Sequence, residues 1–253
     1  MFIGITDIFK IGIGPSSSHT MGPMSAASRF LSSLADKPKA KTANALHIQA
    51  RLHGSLAFTG IGHGSDRAIF LGFMGYLPDT LDIDKIDDLL TQLRTEKSLS
   101  LDAFNSVHFD PERDLIFDYD HALPGHANGM QFFAYDDTDA LILHEIYYSI
   151  GGGFVKRSDE MKQTDIVSTS HHPYPFTNAQ QMLIMGQESG KSIAEMQYEN
   201  EIAHSSANHI DSFIDDIWQA MNGCINRGLC HDGILPGGLN VRRRAKHIYD
   251  QLV

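Results

Sequence analysis

Four segments of this chain gather residues whose types could do acid–base or anion-binding chemistry. The first, Gly12-Ile13-Gly14-Pro15-Ser16-Ser17-Ser18-His19-Thr20-Met21-Gly22-Pro23, crowds serines, an imidazole and a threonine ahead of a helix start near Gly22. Hydroxyls and backbone N–H groups at a helix N-terminus make a site for a carboxylate or a phosphate. Capping alone needs one such side chain, and Ser16, Ser17, Ser18 and Thr20 exceed that need, which favours the anion site over an over-supplied cap. The second segment runs from Gly54 to Asp66, between a strand and a helix. His63 lies there between Gly62 and Gly64 with little bulk to shield it. It is either a loop histidine in water or an acid, base or ligand group.

In the third segment, Leu123 to Met130, Asn128-Gly129 is a turn signal leading into a strand. His126 is then a turn residue or a group on the rim of a site. The fourth, Tyr147 to Phe154, ends a strand on Gly151-Gly152-Gly153, which permits close approach of backbone to a ligand or another segment, or marks a flexible strand end.

Other combinations are excluded or weak. Cys224 and Cys230 are the only thiols, too few for a disulfide framework, a four-cysteine zinc site or a self-contained iron–sulfur site. Cys224 falls on the apolar side of its helix and is expected in the core. His171-His172 is adjacent rather than at helical spacing, no H-E-x-x-H pattern occurs, and Glu201 with His204 reads as a solvated helix face. No metal ligand is assigned. The glycines near His63 do not match a dinucleotide loop, and no Walker loop, hydrolase elbow or RNA-recognition signature is present.

The elements that must position these groups are legible from periodicity. Leu46, Ile48, Ala50 and Leu52 alternate with polar residues as in a half-buried strand. Met130–Tyr135 and Ala140–Tyr148 flank the turn residues 136–139 and read as a hairpin. Short strands fit Ser106–Phe109 and Leu115–Asp118, and helices fit Met24–Leu34, Ser65–Tyr76 and Asp84–Arg94. After Thr177 strand signals cease. Thr177 with Gln180 and Ser192 with Glu195 have capping-box spacing. Ile210, Phe213, Ile214, Ile217, Trp218, Met221 and Ile225 predict one buried face of a long helix ending near Gly228.

The fold class expected is α+β: an N-terminal α/β sandwich-like domain over residues 1–165, a linker over 166–176, and an all-α part over 177–253. Ala245, Ile248, Tyr249 and Leu252 begin an apolar helical stripe just before the chain stops. That points either to a helix cut inside a larger domain or to a docked terminal helix. A length of 253 residues is ample for one or two such domains. Twenty basic against 31 acidic residues give a net charge of −11, so no nucleic-acid partner is expected. The longest apolar run, Ala68–Leu77, falls well short of the ~20 residues of a membrane span. With no signal-peptide pattern, a cytoplasmic location is the default.

Taken in order, these segments resemble a known family. Asp7 to Thr20, Gly22-Pro23-Met24, Gly54-Ser55-Leu56 with Thr59-Gly60, Gly62-His63 with Asp66, Asn128-Gly129-Met130, Tyr147 to Phe154, Pro173-Tyr174-Pro175-Phe176, Leu235-Pro236-Gly237 and Arg243-Arg244-Ala245 are similar to the iron–sulfur-dependent bacterial L-serine dehydratases. The resemblance implies dehydration of L-serine to aminoacrylate, then pyruvate and ammonia. A 4Fe-4S cluster with one open iron would act as Lewis acid. It also implies a β domain similar to the allosteric substrate-binding domain of some phosphoglycerate dehydrogenases, followed by a helical α domain. Ser16, Ser17, Ser18, His19 and Thr20 match the segment facing the catalytic cleft, with His19 and His63 as catalytic groups and His126 and Asn128 on the same rim.

The family's cluster cysteines lie downstream of the Arg-Arg-Ala segment, and Cys224 and Cys230 do not match them. The chain is therefore expected to be the whole β domain plus an incomplete α domain. Its partners would be L-serine and the missing α-domain segment, it would be inactive alone, and it would form a homodimer when complete. The alternatives are a stand-alone serine-binding regulatory module and a degraded or truncated reading frame.

Overall fold

Leu46–Gly54 alternates buried and half-buried residues and forms the central strand of a mixed sheet. A computed structural model describes residues 3–162, 172–235 and 239–253 of the chain. Residues 166–171 of the expected linker, His171 and Pro236-Gly237 lie outside the described residues. The chain divides into two units. One takes Ile11–Gln163 and Asp232–Arg244; the other takes Met1–Lys10, Thr164–His231 and Ala245–Val253.

The helices are α1 (Ile5–Ile8), α2 (Gly22–Ala35), α3 (Pro38–Thr42), α4 (Ser55–Thr59), α5 (Ser65–Phe73), α6 (Ile86–Glu96), α7 (Ala179–Ser189), α8 (Ile193–Ile202), α9 (Ala207–Cys230) and α10 (Ala245–Leu252). The strands are β1 (Leu46–Gly54), β2 (Ser98–Leu99), β3 (Val107–His108), β4 (Leu115–Asp118), β5 (Asn128–Asp136), β6 (Leu141–Gly151) and β7 (Phe154–Arg157). Their order is β2-β3-β1-β5-β6-β7, with β4 also paired to β1. β1 runs parallel to β3 and β4 and antiparallel to β5. Both the hairpin β5–β6 and the short strands expected from the sequence are present; Leu115–Asp118 has the expected ends, and the others are moved by one to three residues.

α2 and α5 cover the face of the sheet that carries Ile48, Ala50 and Leu52. Ala27, Phe30, Leu31 and Leu34 recur at helical spacing on α2 and are all buried. Phe30, Phe73, Phe132 and Tyr147 form the centre of the core. Their neighbouring rings lie 5.2–6.2 Å apart, mostly edge to face. α5 ends at Phe73 rather than Tyr76 because Gly75 turns the backbone to φ +87°.

In the helical unit, the Ser192–Glu195 capping box forms as expected. α7, however, is capped by Asn178, one residue after Thr177. Glu201 is not on a solvated face: it is 4% exposed and accepts a hydrogen bond from the Ile5 N–H at 2.9 Å. Asn200, also buried, closes a pair of bonds with the backbone of Tyr174 at 2.8 and 2.9 Å.

The long helix is α9, but its apolar face is not buried as expected. Of that stripe only Ile210 is buried, and Ile214, Trp218, Met221 and Ile225 are exposed. Cys224 is exposed as well, not in a core. α10 packs on α9, yet Ile248, Tyr249 and Leu252 remain exposed. No second apolar layer lies over these side chains among the described residues, so periodicity marks the face without supplying what covers it.

Close packing of α2 on α5 depends on Gly72. A Cβ added there would lie 2.4 Å from the Met24 carbonyl oxygen and 2.7 Å from Ala27 Cβ. Gly72→Ala is expected to destabilise the sheet unit by about 1–3 kcal/mol through overpacking. The measurement is urea denaturation, where an unchanged midpoint would contradict the close approach.

Candidate functional site

The site grows from the C-terminal end of β1. Gly54 adopts φ +55° and ψ −129°, a conformation open in practice only to glycine. A Cβ there would also sit 2.4 Å from the Ala127 carbonyl oxygen. The turn releases the chain into α4, whose first residue, Ser55, donates its N–H to that same carbonyl at 2.8 Å. α4 leads into a short 3₁₀ turn, Ile61–His63. There His63 donates Nδ1–H to the Thr59 carbonyl at 2.9 Å. Its Nε2 then has no partner among the described residues.

The serine-rich segment folds as a π-helical turn, Ser17–Met21, running directly into α2. Such turns occur disproportionately at functional sites. Ser16 is the cap, accepting from the His19 N–H at 3.2 Å. Thr20 is buried, accepts from the Ser16 N–H at 3.3 Å and donates to the His63 carbonyl at 2.8 Å. The buried Ser65 hydroxyl donates to the His19 carbonyl. Ser17 is exposed at the start of the turn. The surplus of hydroxyls noted in the sequence is thus largely spent on fixing the turn against the His63 loop.

The His19 ring is held from both sides. Its Nδ1 is 2.9 Å from Ser18 Oγ and its Nε2 is 2.9 Å from Ser55 Oγ. Its centroid lies 4.9 Å from that of His63. Burial holds the His19 pKa below the ordinary imidazole value; the neighbouring His63 adds to the depression, and a hydrogen bond with the Ser55 backbone opposes it. The arrangement provides one hydroxyl-bound imidazole favoured in its neutral form, with a second imidazole beside it that has a free nitrogen.

Asn128 opens β5 directly opposite Gly54 in the register. It is buried, and its Nδ2 donates to the Ser149 carbonyl at 3.0 Å. Its N–H donates to His126 Nδ1 at 3.1 Å, so the His126 ring proton belongs on Nε2. Ser149 is fully buried, and its Oγ has no partner among the described residues. Of the residues singled out from the sequence, Ser16, Ser18, His19, Thr20 and His63 come together. Asn128 and His126 stand at the same end of the sheet without a hydrogen bond to either histidine. Ser55 and Ser65 lay within the Gly54–Asp66 segment, and Ser55 within the Gly54-Ser55-Leu56 match, but neither was assigned a role from the sequence.

Two further histidines serve other bonds: His53 is buried between the His121 carbonyl and Gln131, and His47 pairs with Asp114. Among the described residues no group of three or more His, Cys, Asp or Glu is placed to hold a metal ion.

The sheet unit is therefore an α+β domain with a histidine–hydroxyl cluster at the C-terminal end of its central strand. Residues 4–160 match the family described as serine dehydratase beta chain. Over 246 residues the chain is 40% identical to the L-serine dehydratase of Streptomyces coelicolor, covering 97% of this chain and 54% of that protein. It is 38% identical over 252 residues to L-serine dehydratase 1 of Escherichia coli, covering 99% and 54%. It is likewise 38% identical over 252 residues to the L-serine dehydratase of Helicobacter pylori, covering 98% and 53%. The chain belongs to the serine dehydratase beta chain family. It spans about half the length of the curated relatives it matches.

The depressed His19 pKa has a definite sign. The unfolded chain protonates this ring near 6.5, and the folded chain does so at lower pH. Stability contributed by the neutral ring is fully present above pH 6.5 and is lost as pH falls through the folded midpoint. In an NMR titration His19 is expected to titrate below 6.5, and His63→Gln to move its midpoint upward. A His19 midpoint at or above the ordinary value in the wild type would refute the burial argument.

Proposed function

We propose that this chain supplies the substrate-facing part of an L-serine dehydratase, converting L-serine through aminoacrylate to pyruvate and ammonia. The observation that carries the reading is the paired His19 and His63 among hydroxyls, both within the residues that match the family. His63 is the proton carrier. With Nδ1 tied to Thr59, its Nε2 takes the α-proton as the Cα–Cβ double bond forms, and the β-C–O bond breaks with the hydroxyl taking that proton from His63 to leave as water. The backbone of the Ser16–Thr20 turn and the exposed Ser17 hydroxyl receive the substrate carboxylate, while Ser16, Ser18 and Thr20 hold the turn in shape. His126 and Asn128 line the same rim. Residues 1–165 act as the β domain, 166–176 as linker and 177–253 as the opening of the helical domain, with the first ten residues returning to the helices.

This chain's own thiols do not fit an iron–sulfur cluster. Cys224 and Cys230 are exposed on α9, six positions apart and so on different faces of the helix. In this reading the 4Fe-4S group belongs to a polypeptide matching the remaining half of the relatives. The same polypeptide covers the apolar stripe of Ile214, Trp218, Met221 and Ile225, which a stable soluble helix seldom leaves bare.

The test uses this chain with such a polypeptide, prepared anaerobically with iron and sulfide. Trp218 is the only tryptophan and is 59% exposed, so its emission is expected to shift to the blue on assembly. Pyruvate should form from L-serine in the assembled complex and not with either part alone. His63→Ala should lower turnover by about 10²–10⁴-fold. Assembly without turnover, together with saturable L-serine binding by this chain in calorimetry, would instead favour a regulatory module.

A further inference from the structure

The geometry points to Ser55 as a positioning residue that, with Ser18, clamps His19 as a neutral Nε2–H imidazole and presents its own O–H to the substrate carboxylate. This rests on the functional reading above only for the identity of the ligand; the clamp itself rests on the hydrogen-bond pattern.

A neutral imidazole has one donor and one acceptor nitrogen. Both His19 nitrogens face hydroxyls at 2.9 Å, so the direction of the hydroxyl chain decides where the ring proton sits. Ser16 Oγ already accepts from the His19 N–H and lies 3.3 Å from Ser18 Oγ. With Ser16 donating to Ser18, and Ser18 to Nδ1, the ring proton sits on Nε2 and is given to Ser55 Oγ. Ser55 Oγ has no second partner among the described residues, so its own proton is left for a ligand. Every bond in the chain then points the same way, which strengthens each of them. An anion at the Ser55 end favours this direction over the reverse.

His63 fits the same scheme. It is the titratable group facing His19, and both nitrogens of the His19 ring are bonded to hydroxyls. A protonated His19 would donate from both nitrogens and reverse the Ser18 bond. Burial and the adjacent His63 oppose that protonation. Proton traffic is left to the free Nε2 of His63. Gly54 is what places Ser55 here, since its backbone turn aims the first residue of α4 back at the serine-rich turn.

The experiment is long-range ¹H–¹⁵N NMR on the full labelled chain, above the His19 titration midpoint. The wild type should show the Nε2–H tautomer. Ser55→Ala should shift the ring toward the Nδ1–H form and move its midpoint further down, opposite to the effect of His63→Gln. Ser55→Thr, which keeps the hydroxyl, should restore both. An Nδ1–H ring in the wild type, or a Ser55→Ala ring that keeps its tautomer and midpoint, overturns the clamp. Calorimetry with L-serine reads the second half of the proposal. Ser55→Ala is expected to weaken binding about tenfold or more, as for a lost hydrogen bond to a charged group. Undiminished binding by that variant would remove Ser55 from the carboxylate site. Failure of the wild type to bind L-serine counts against that half and against the functional reading, while the tautomer result still decides the clamp.

Discussion

The register between β1 and β5 constrains where everything else in the sheet unit can sit. Nine residues of β1 pair with nine of β5, from Leu46 opposite Asp136 to Gly54 opposite Asn128. A slip of one residue would turn Ile48, Ala50 and Leu52 out of the core and bring His47, Gln49 and Arg51 in. The same register ends with Gly54 against the Ala127 carbonyl, and that contact leaves no room for a side chain. The strand can therefore leave the sheet only by the turn that starts α4. Ser55, the His63 loop and α5 follow from that exit in order.

Packing on the covered face then brings the serine-rich turn to meet them. α2 and α5 approach closely at Gly72, and the aromatic cluster of Phe30, Phe73, Phe132 and Tyr147 fixes their height above the sheet. Because α2 begins where the π turn ends, the core that seats α2 also seats His19. The cross-links from Thr20 to His63 and from Ser65 to His19 make the two loops one body. Half-burial of His19 is thus a consequence of core packing, and its depressed pKa is a consequence of the burial.

What was legible in the sequence was local. Alternation marked β1, turn residues marked the β5–β6 hairpin, and the Ser192–Glu195 spacing marked a helix start. The serine-rich turn and His63 stood out because glycines and hydroxyls are unusual in such density. Ser55 and Ser65 did not, because their meaning lies in bonds to a residue 36 and 46 positions away. Glu201 was misjudged for the same reason: its partner, Ile5, is 196 residues distant. The stripe on α9 failed differently. A helical period establishes that a face is apolar, and it is silent on whether the rest of the chain covers it.

The chemistry of the cluster also bears on how an acidic chain would take the carboxylate of a zwitterionic amino acid. At a net charge of −11 the long-range field offers a carboxylate no attraction. Among the described residues no arginine or lysine is bonded into the His19 cluster; Arg67, on α5, is held by Asp87. Recognition in the proposed site must then come from neutral donors, namely hydroxyls and backbone N–H groups fixed at short range. Such donors add no titrating cation beside the histidines, so they leave the His19–His63 pair as the dominant local electrostatic interaction. That is what allows two imidazoles 4.9 Å apart to differ in role. One is saturated by hydroxyls and held toward neutrality, and the other keeps a nitrogen free for the proton. A basic side chain at the same place would bind the carboxylate more strongly, but it would depress both imidazoles together and weaken the one that has to act as a base.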